Sequence, residues 1–570
     1  MLKDCKISQK PFSLSDVEIA FYEKVSPVIN GKKYLIPVPN ISPEERLRRR
    51  WSFRNEHALY NGTCAKTGKA LVMMYPPTLP LTVYDQQLWW DKSWDGTEYG
   101  RDFDFSRSFF DQFKELLFAV PHPNLLNDAL SNVNSDYVNC TISLKNCYMI
   151  SDAGSNEDCY YSNIINGCKN CVDCSAVMNC ELSYQLVGSM GCYNSKFLLD
   201  CDNCRDSAFL YACKSCSDCF GCYNLRHKQY CWNNEQLTKE EFEVRRAKLD
   251  LGDFSVYEQC KGDFLEAIKR APREYAFLSQ CENCTGNVLA NCHDNQHAFD
   301  CDANQNSSFS ISTRNVRDCY DIEHTYNAEL SLEVMAATNI YQNFFCCYTI
   351  NSQYIYYSYL ISASKNCFGC AGLKNQEYCI LNKKYSKEEY EVMVPKIIEH
   401  MRKDQQWGEF FPMAISLHGY NDSLAADYFP LSKVQAMEMA ATWDDYEAPK
   451  PVAAKVLTGN NLPQKIADVT DDILNQVITC AVSGKLFRIT KQELQFYRQH
   501  IVPLPRVCQQ VRYQERLQLR LPRKLWQRQC DCTESTHKHI GRCEQQFQTP
   551  YEATRPELVY CQQCYQQVVV

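Results

Sequence analysis

The sequence predicts a mainly β fold: a cysteine-laddered parallel β-solenoid in two blocks, flanked by small α+β zinc-ribbon-like modules. Three observations predict it. Cysteine recurs every 21 residues, at Cys159, Cys180, Cys201 and Cys222, and in a second series at Cys171, Cys192 and Cys213. The segment DCFGCYNLRHKQYCWNNEQLTKEEFEV from Asp218 returns as NCFGCAGLKNQEYCILNKKYSKEEYEV from Asn366, at a constant offset of 148. The two ends are also copies, since CKISQKPFSLSDVEIAFY at Cys5 matches CAVSGKLFRITKQELQFY at Cys480. A spacing held over several units is what stacked coils produce, so about 21 residues per coil is expected, with equivalent side chains in columns about 4.8 Å apart.

Taken in order, residues 1–125 read as a degenerate ribbon-like module and 126–235 as the first solenoid block. A helical segment follows at 236–275, then the second block at 276–383, a second helical segment at 384–405, a linker region at 406–475 and a ribbon module at 476–570. Each helical segment begins with a capping box: Thr238 or Ser386 as N-cap, with Glu241 or Glu389 three residues later. Inside the linker region one compact stretch stands out, GEFFPMAISLHGYNDSLAADYFPLSK. Asn precedes cysteine at Asn146, Asn170, Asn179 and Asn203, which suits a coil corner where the amide bonds adjacent coils.

A chain of 570 residues with 45% hydrophobic content supports several domains and a large core. No apolar segment behind MLKDCKISQK reads as an export signal, and no apolar run is long enough to span a bilayer. The expectation is therefore a cytoplasmic protein, whose 35 cysteines stay reduced and are either buried or bound to metal. A homo-oligomer that stacks solenoid ends fits the same repeats. Residues 480–570 carry 14 Lys and Arg against 7 Asp and Glu, so an anionic partner would meet the terminal modules. Arg46, Arg50 and Arg54 correspond to Arg512, Arg516 and Arg520, each set at i, i+4 and i+8. On a helix this puts three guanidinium groups on one face, suited to phosphates or to a strip of carboxylates. RNA, or a protein, is the partner class this implies.

The strongest metal signal closes the chain. The CxxC of Cys561 and Cys564 forms one knuckle, and Cys543 with Cys530 or Cys532 supplies the other, giving four thiolates suited to zinc. His537 and His539 lie in the intervening CDCTESTHKHIGRC segment as alternative ligands. A second arrangement, Cys213, Cys216, Cys219 and Cys222 at intervals of three, invites an iron–sulfur or thiol-redox reading, although its last gap is shorter than ferredoxin spacing. His293, Asp294, His297, Asp300 and Asp302 form a further polar cluster, and a tyrosine-rich stretch at 341–368 offers aromatic faces. P-loop, GxGxxG, GxSxG and HExxH signatures are lacking, so an enzyme, for instance one acting on a carbohydrate polymer, is the secondary reading.

The Cys480 segment resembles the zinc-ribbon domain family, whose pattern runs CxxC, Phe, Glu, Phe-Tyr, then Pro and CxxC-Arg. In that comparison Cys480 and Cys508 stand at ligand positions, but Ser483 and Val511 replace their partners. The first copy keeps Cys5, with Ser8, Ser42 and Glu45 at the other three positions. Cys64 likewise stands alone, with Thr67, Asp85 and Leu88 where Cys543, Cys561 and Cys564 fall. The whole chain, through LRRRWSFRNEHALY, YGRDFDFSRSFFDQF and PRKLW, resembles uncharacterised cysteine-rich proteins of uncultivated small-genome bacteria. That resemblance implies a shared multi-domain plan and assigns no activity.

Overall fold

The computed structural model describes residues 1–128, 130–447, 456–537 and 539–569. Strand outweighs helix, 29% to 25%, in many small sheets. Most strands belong to two parallel ladders. In the first, Asn139 pairs with Ser151, Ser151 with Asn163 and Asn163 with Ser175. In the second, Tyr320 pairs with Leu332, Leu332 with Phe344, Phe344 with Tyr356 and Tyr356 with Phe368.

Each partner lies 12 residues further on, as 151 minus 139 shows, so the repeat is not the 21 that the cysteine spacing suggested. The reason is a deeper period of three. Every third residue takes a left-handed conformation, as in Asn170, Asp173, Ala176 and Asn179 with φ of 50, 56, 54 and 52°. The residue after each such corner points inward and is buried: Cys171, Cys174, Val177 and Cys180. Four triplets bring the chain back beside itself, whereas the 21-residue spacing spans seven and lands on a different wall. The real columns are therefore sets such as Cys168, Cys180, Cys192, Cys204 and Cys216.

Corner chemistry explains the Asn-Cys pairs, because Asn tolerates left-handed backbone better than most residues and each inward Cys follows a corner. The corner amides bond along the stack: Asn327 donates to Asn339 at 2.8 Å and Asn339 to Asn351 at 2.9 Å. At Gly191 a Cβ would sit 2.3 Å from the Asn203 Oδ1 of the next turn, so a larger residue at that corner would have to push the amide aside. Inward thiols are satisfied by main chain, as where Cys171 donates to the carbonyls of Lys169 and Cys180, both at 3.4 Å. All 35 cysteines are free thiols.

Both capping boxes after the ladders are formed, at Thr238 with Glu241 and at Ser386 with Glu389, opening helices Lys239–Ala247 and Lys387–Lys403. Much of the stretch read as linker is packed: Phe410, Phe411, Ile415, Leu417 and Tyr420 are buried. Its residues 448–455 lie outside the described residues.

The terminal copies share one element order, a helix Asp16–Val25 then Pro43–Trp51 at the start, and Lys491–His500 then Gln509–Gln518 at the end. They dock crosswise. The N-terminal copy packs on the second ladder, with Phe21 stacked on Tyr320 at 3.7 Å, and the C-terminal copy packs on the first, with Phe496 and Tyr497 against Tyr184. A second pair of equivalent pieces closes the ends. Strand Val83–Tyr84 pairs with His122–Pro123 leading into the first ladder, and Val559–Tyr560 pairs with Arg273–Glu274 leading into the second. Each piece also grips the far end of the other ladder: Asn382 donates to Gly96 at 2.9 Å, and Tyr565 donates to Asn224 at 3.0 Å.

Candidate metal centre

The hairpin of Trp526–Gln529 with Gln546–Thr549 carries Cys530 and Cys543 in the loop that joins its strands, next to the Gln529–Gln546 pair. Strand Val559–Tyr560 then delivers Cys561 to the start of helix Gln562–Val569, whose first turn presents Cys564. The four sulfurs of Cys530, Cys543, Cys561 and Cys564 all lie within 4.8 Å of one another and all four residues are buried. The Cys561 N–H donates to Cys530 Sγ at 3.2 Å, a bond that favours thiolate. Asp531 clamps the loop, accepting from Val559 N–H at 3.0 Å and from Arg528 and Arg542.

The electrostatics are compatible with a bound cation. Burial, and the thiols of Cys561 and Cys543 beside it, push Cys530 up to about 12. Cys564 is raised by burial and by its neighbours Cys561, Cys530 and Cys543. Burial also opposes ionisation of Cys543, but the Gln545 N–H and the surrounding thiols outweigh it and pull it down. Four thiols in contact cannot ionise together without positive charge between them, which a divalent ion would supply. Of the five cysteines the sequence singled out, four converge. Cys532 instead stands 3.1 Å from His537 Nδ1, in a group with His539 and Cys564.

The degenerate copies keep the scaffold and lack the donors. Cys64 accepts the Asp85 N–H at 3.4 Å, the counterpart of the Cys561 to Cys530 bond, but Thr67, Asp85 and Leu88 add no thiolate. Cys5 accepts from Ser42 N–H at 3.3 Å, and Cys480 from Cys508 N–H at 3.3 Å and Ser483 N–H at 3.4 Å. Burial opposes ionisation at both, yet these N–H bonds, with the Ser8 hydroxyl at Cys5 and the Ser483 hydroxyl at Cys480, hold each near about 7.

The arginine pattern requires a correction. Arg46, Arg50, Arg54, Arg512 and Arg516 are buried, and Arg520 is paired internally, so none is displayed to a partner. Arg46 binds Asp321 at 2.8 Å, and Arg50 binds Asp321, Glu323 and Glu333 at 3.1, 2.7 and 3.3 Å. In the other copy Arg512 and Arg516 bind Asp173 at 3.0 and 2.9 Å. Asp173 and Asp321 are separated by the same 148 residues as the ladder duplication. The third arginine of each set reaches the opposite ladder: Arg54 meets Asp152 at 3.5 Å and Arg520 meets Asp300 at 3.6 Å, again a pair 148 apart. The strip of carboxylates is the protein's own, and the arginines fasten each terminal copy to both ladders.

Other sequence candidates disperse. Cys213, Cys216, Cys219 and Cys222 sit on successive walls of one turn, and among the described residues they form no group of three or more ligands within 4.8 Å. His293 is exposed, His297 stacks on Phe309 at 5.3 Å and Asp300 holds Arg523 at 2.8 Å, so the CHDNQHAFDCD residues make no common site. Tyr348, Tyr356, Tyr357 and Tyr359 are buried in the core between the second ladder and the N-terminal copy. One group went unnoticed in the sequence: Glu56, Asp152 and His324, with His324 Nδ1 3.1 Å from Asp152, joins parts distant in sequence and leaves no local motif. Its space is already occupied by Arg54.

Comparison with protein-family models finds no match, and no curated protein matches the chain. No helix among the described residues is long and apolar enough to cross a membrane.

Proposed function

We propose that the protein is a zinc-binding scaffold in which two β-solenoid blocks of 12 residues per coil are locked together by a metal-bound ribbon. The observation that carries this reading is the convergence of Cys530, Cys543, Cys561 and Cys564, four buried thiols in one group at the junction of the two ladders. Four thiolates complete a tetrahedral coordination sphere, which suits zinc as a structural ion without redox chemistry. Those same contacts explain the placement: the ribbon touches Asn224 at the end of one ladder and Arg273–Glu274 at the start of the next. The six arginines that suggested RNA are used internally, so a macromolecular partner, RNA or protein, meets other surfaces.

The test is elemental analysis of full-length protein purified without oxygen, followed by thermal melting with and without a chelator. Zinc in the wild type, its loss in Cys561→Ser and a lowered Tm on chelation are expected; at zinc a thousandfold above Kd the linked stabilisation is about 4 kcal/mol. Iron in place of zinc would turn the reading to a redox centre, since four thiolates also suit iron.

A further inference from the structure

Cys532 is the cysteine that the four-thiol group leaves out, and its surroundings are those of a ligand. One atom each from Cys532, His537, His539 and Cys564 lie within 4.8 Å of one another, and Cys532 Sγ is 3.1 Å from His537 Nδ1. His539 Nδ1 donates to the Gly541 carbonyl at 2.9 Å. That bond fixes the tautomer and leaves Nε2 with a free lone pair, the way carbonyl-oriented imidazoles are prepared for metal. His539 Nε2 is buried with no hydrogen-bond partner. Two sulfurs and two imidazole nitrogens make a tetrahedral zinc set.

Cys564 belongs to both groups. We propose a second divalent ion held by Cys532, His537 and His539 and joined to the first through a bridging Cys564 thiolate. This rests on the four-thiol reading and adds to it. Charge favours the pair: four thiolates around one divalent ion leave two net negative charges in a buried place, while a second ion with one further thiolate leaves a single one. A cavity of about 500 Å³ lined by His539, Cys543, Cys561 and Cys564 gives the ions an approach.

Full-length protein loaded with excess zinc and desalted provides the test, read by zinc per chain and by X-ray absorption. Two ions per chain and a zinc–zinc distance of about 3.5–4 Å are expected, the spacing of bridged pairs. Cys532→Ser, or His537→Ala with His539→Ala, should release one ion, abolish that distance and keep the chelator-sensitive Tm. A wild type holding one ion with no zinc–zinc distance, or variants with an unchanged count, would overturn the second site and leave the first. A wild type with no zinc would overturn both.

Discussion

Arg50 carries more of the architecture than any surface property of its helix suggested. Its guanidinium faces Asp321, Glu323 and Glu333 in a site closed to water. Removing one member of such a network strands the others, at about 3–5 kcal/mol. Arg50→Met is therefore expected to lower unfolding stability by that amount in denaturant titration, while Lys24→Met, at an exposed pair with Asp318, changes it little. Glu323 in the same site adds a pH dependence. Burial pushes its carboxyl up to about 7 against the pull of Arg50, so the fold prefers the neutral acid. That preference is fully present below the unfolded value near 4.5 and is lost as pH rises through about 7. Glu323→Gln removes this pH-dependent loss, so its stability relative to the wild type should rise by at most about 3 kcal/mol across the window, whatever its offset at low pH, as urea melts at a series of pH values would show. The i, i+4, i+8 spacing made the arginine face legible in the sequence, but a spacing defines a face and not what it meets. The information was present elsewhere, in Asp173 and Asp321, which obey the ladder offset of 148.

At the scale of elements, the ladder was legible as a repeat and misjudged in period. The inward position of each triplet accepts any small or apolar side chain, so Cys alternates with Ser183, Leu186, Ser189 and Val177, and cysteine alone shows only a coarse multiple of three. The corners told more, through Asn170, Asn179 and Asn203. Other corners break the preference: Ile164 is β-branched yet has φ of 54°. Left-handed backbone costs such a residue about 1–2 kcal/mol, so Ile164→Asn should stabilise the first ladder by about 1 kcal/mol in equilibrium unfolding. The four-cysteine group was legible in part because CxxC is local. Which of Cys530 and Cys532 completes the first set depends on a hairpin register that separates them, and spacing alone leaves that open.

The whole molecule is a crossed duplication. Each terminal copy folds onto the ladder far from it in sequence, then sends its third arginine to the other ladder, and each end piece spans the gap between one ladder's end and the other's start. Nothing local encodes that crossing; it follows from burying the aromatic faces around Tyr320 and Tyr184 under equivalent helices. Only one of the two end pieces keeps its four thiols, so under the proposed metal-bound reading the junction at Asn224 and Arg273–Glu274 depends on metal, while the one at Gly96 and Asn382 packs around Trp89 and Trp94. Hydrogen exchange of the full chain with and without its metal tests this most directly. Removing bound zinc is expected to strip protection from residues 526–537, 539–569 and the paired strand Arg273–Glu274, and to leave the 139–211 ladder protected. Unchanged protection across 526–537 and 539–569 after the metal is gone would contradict the account.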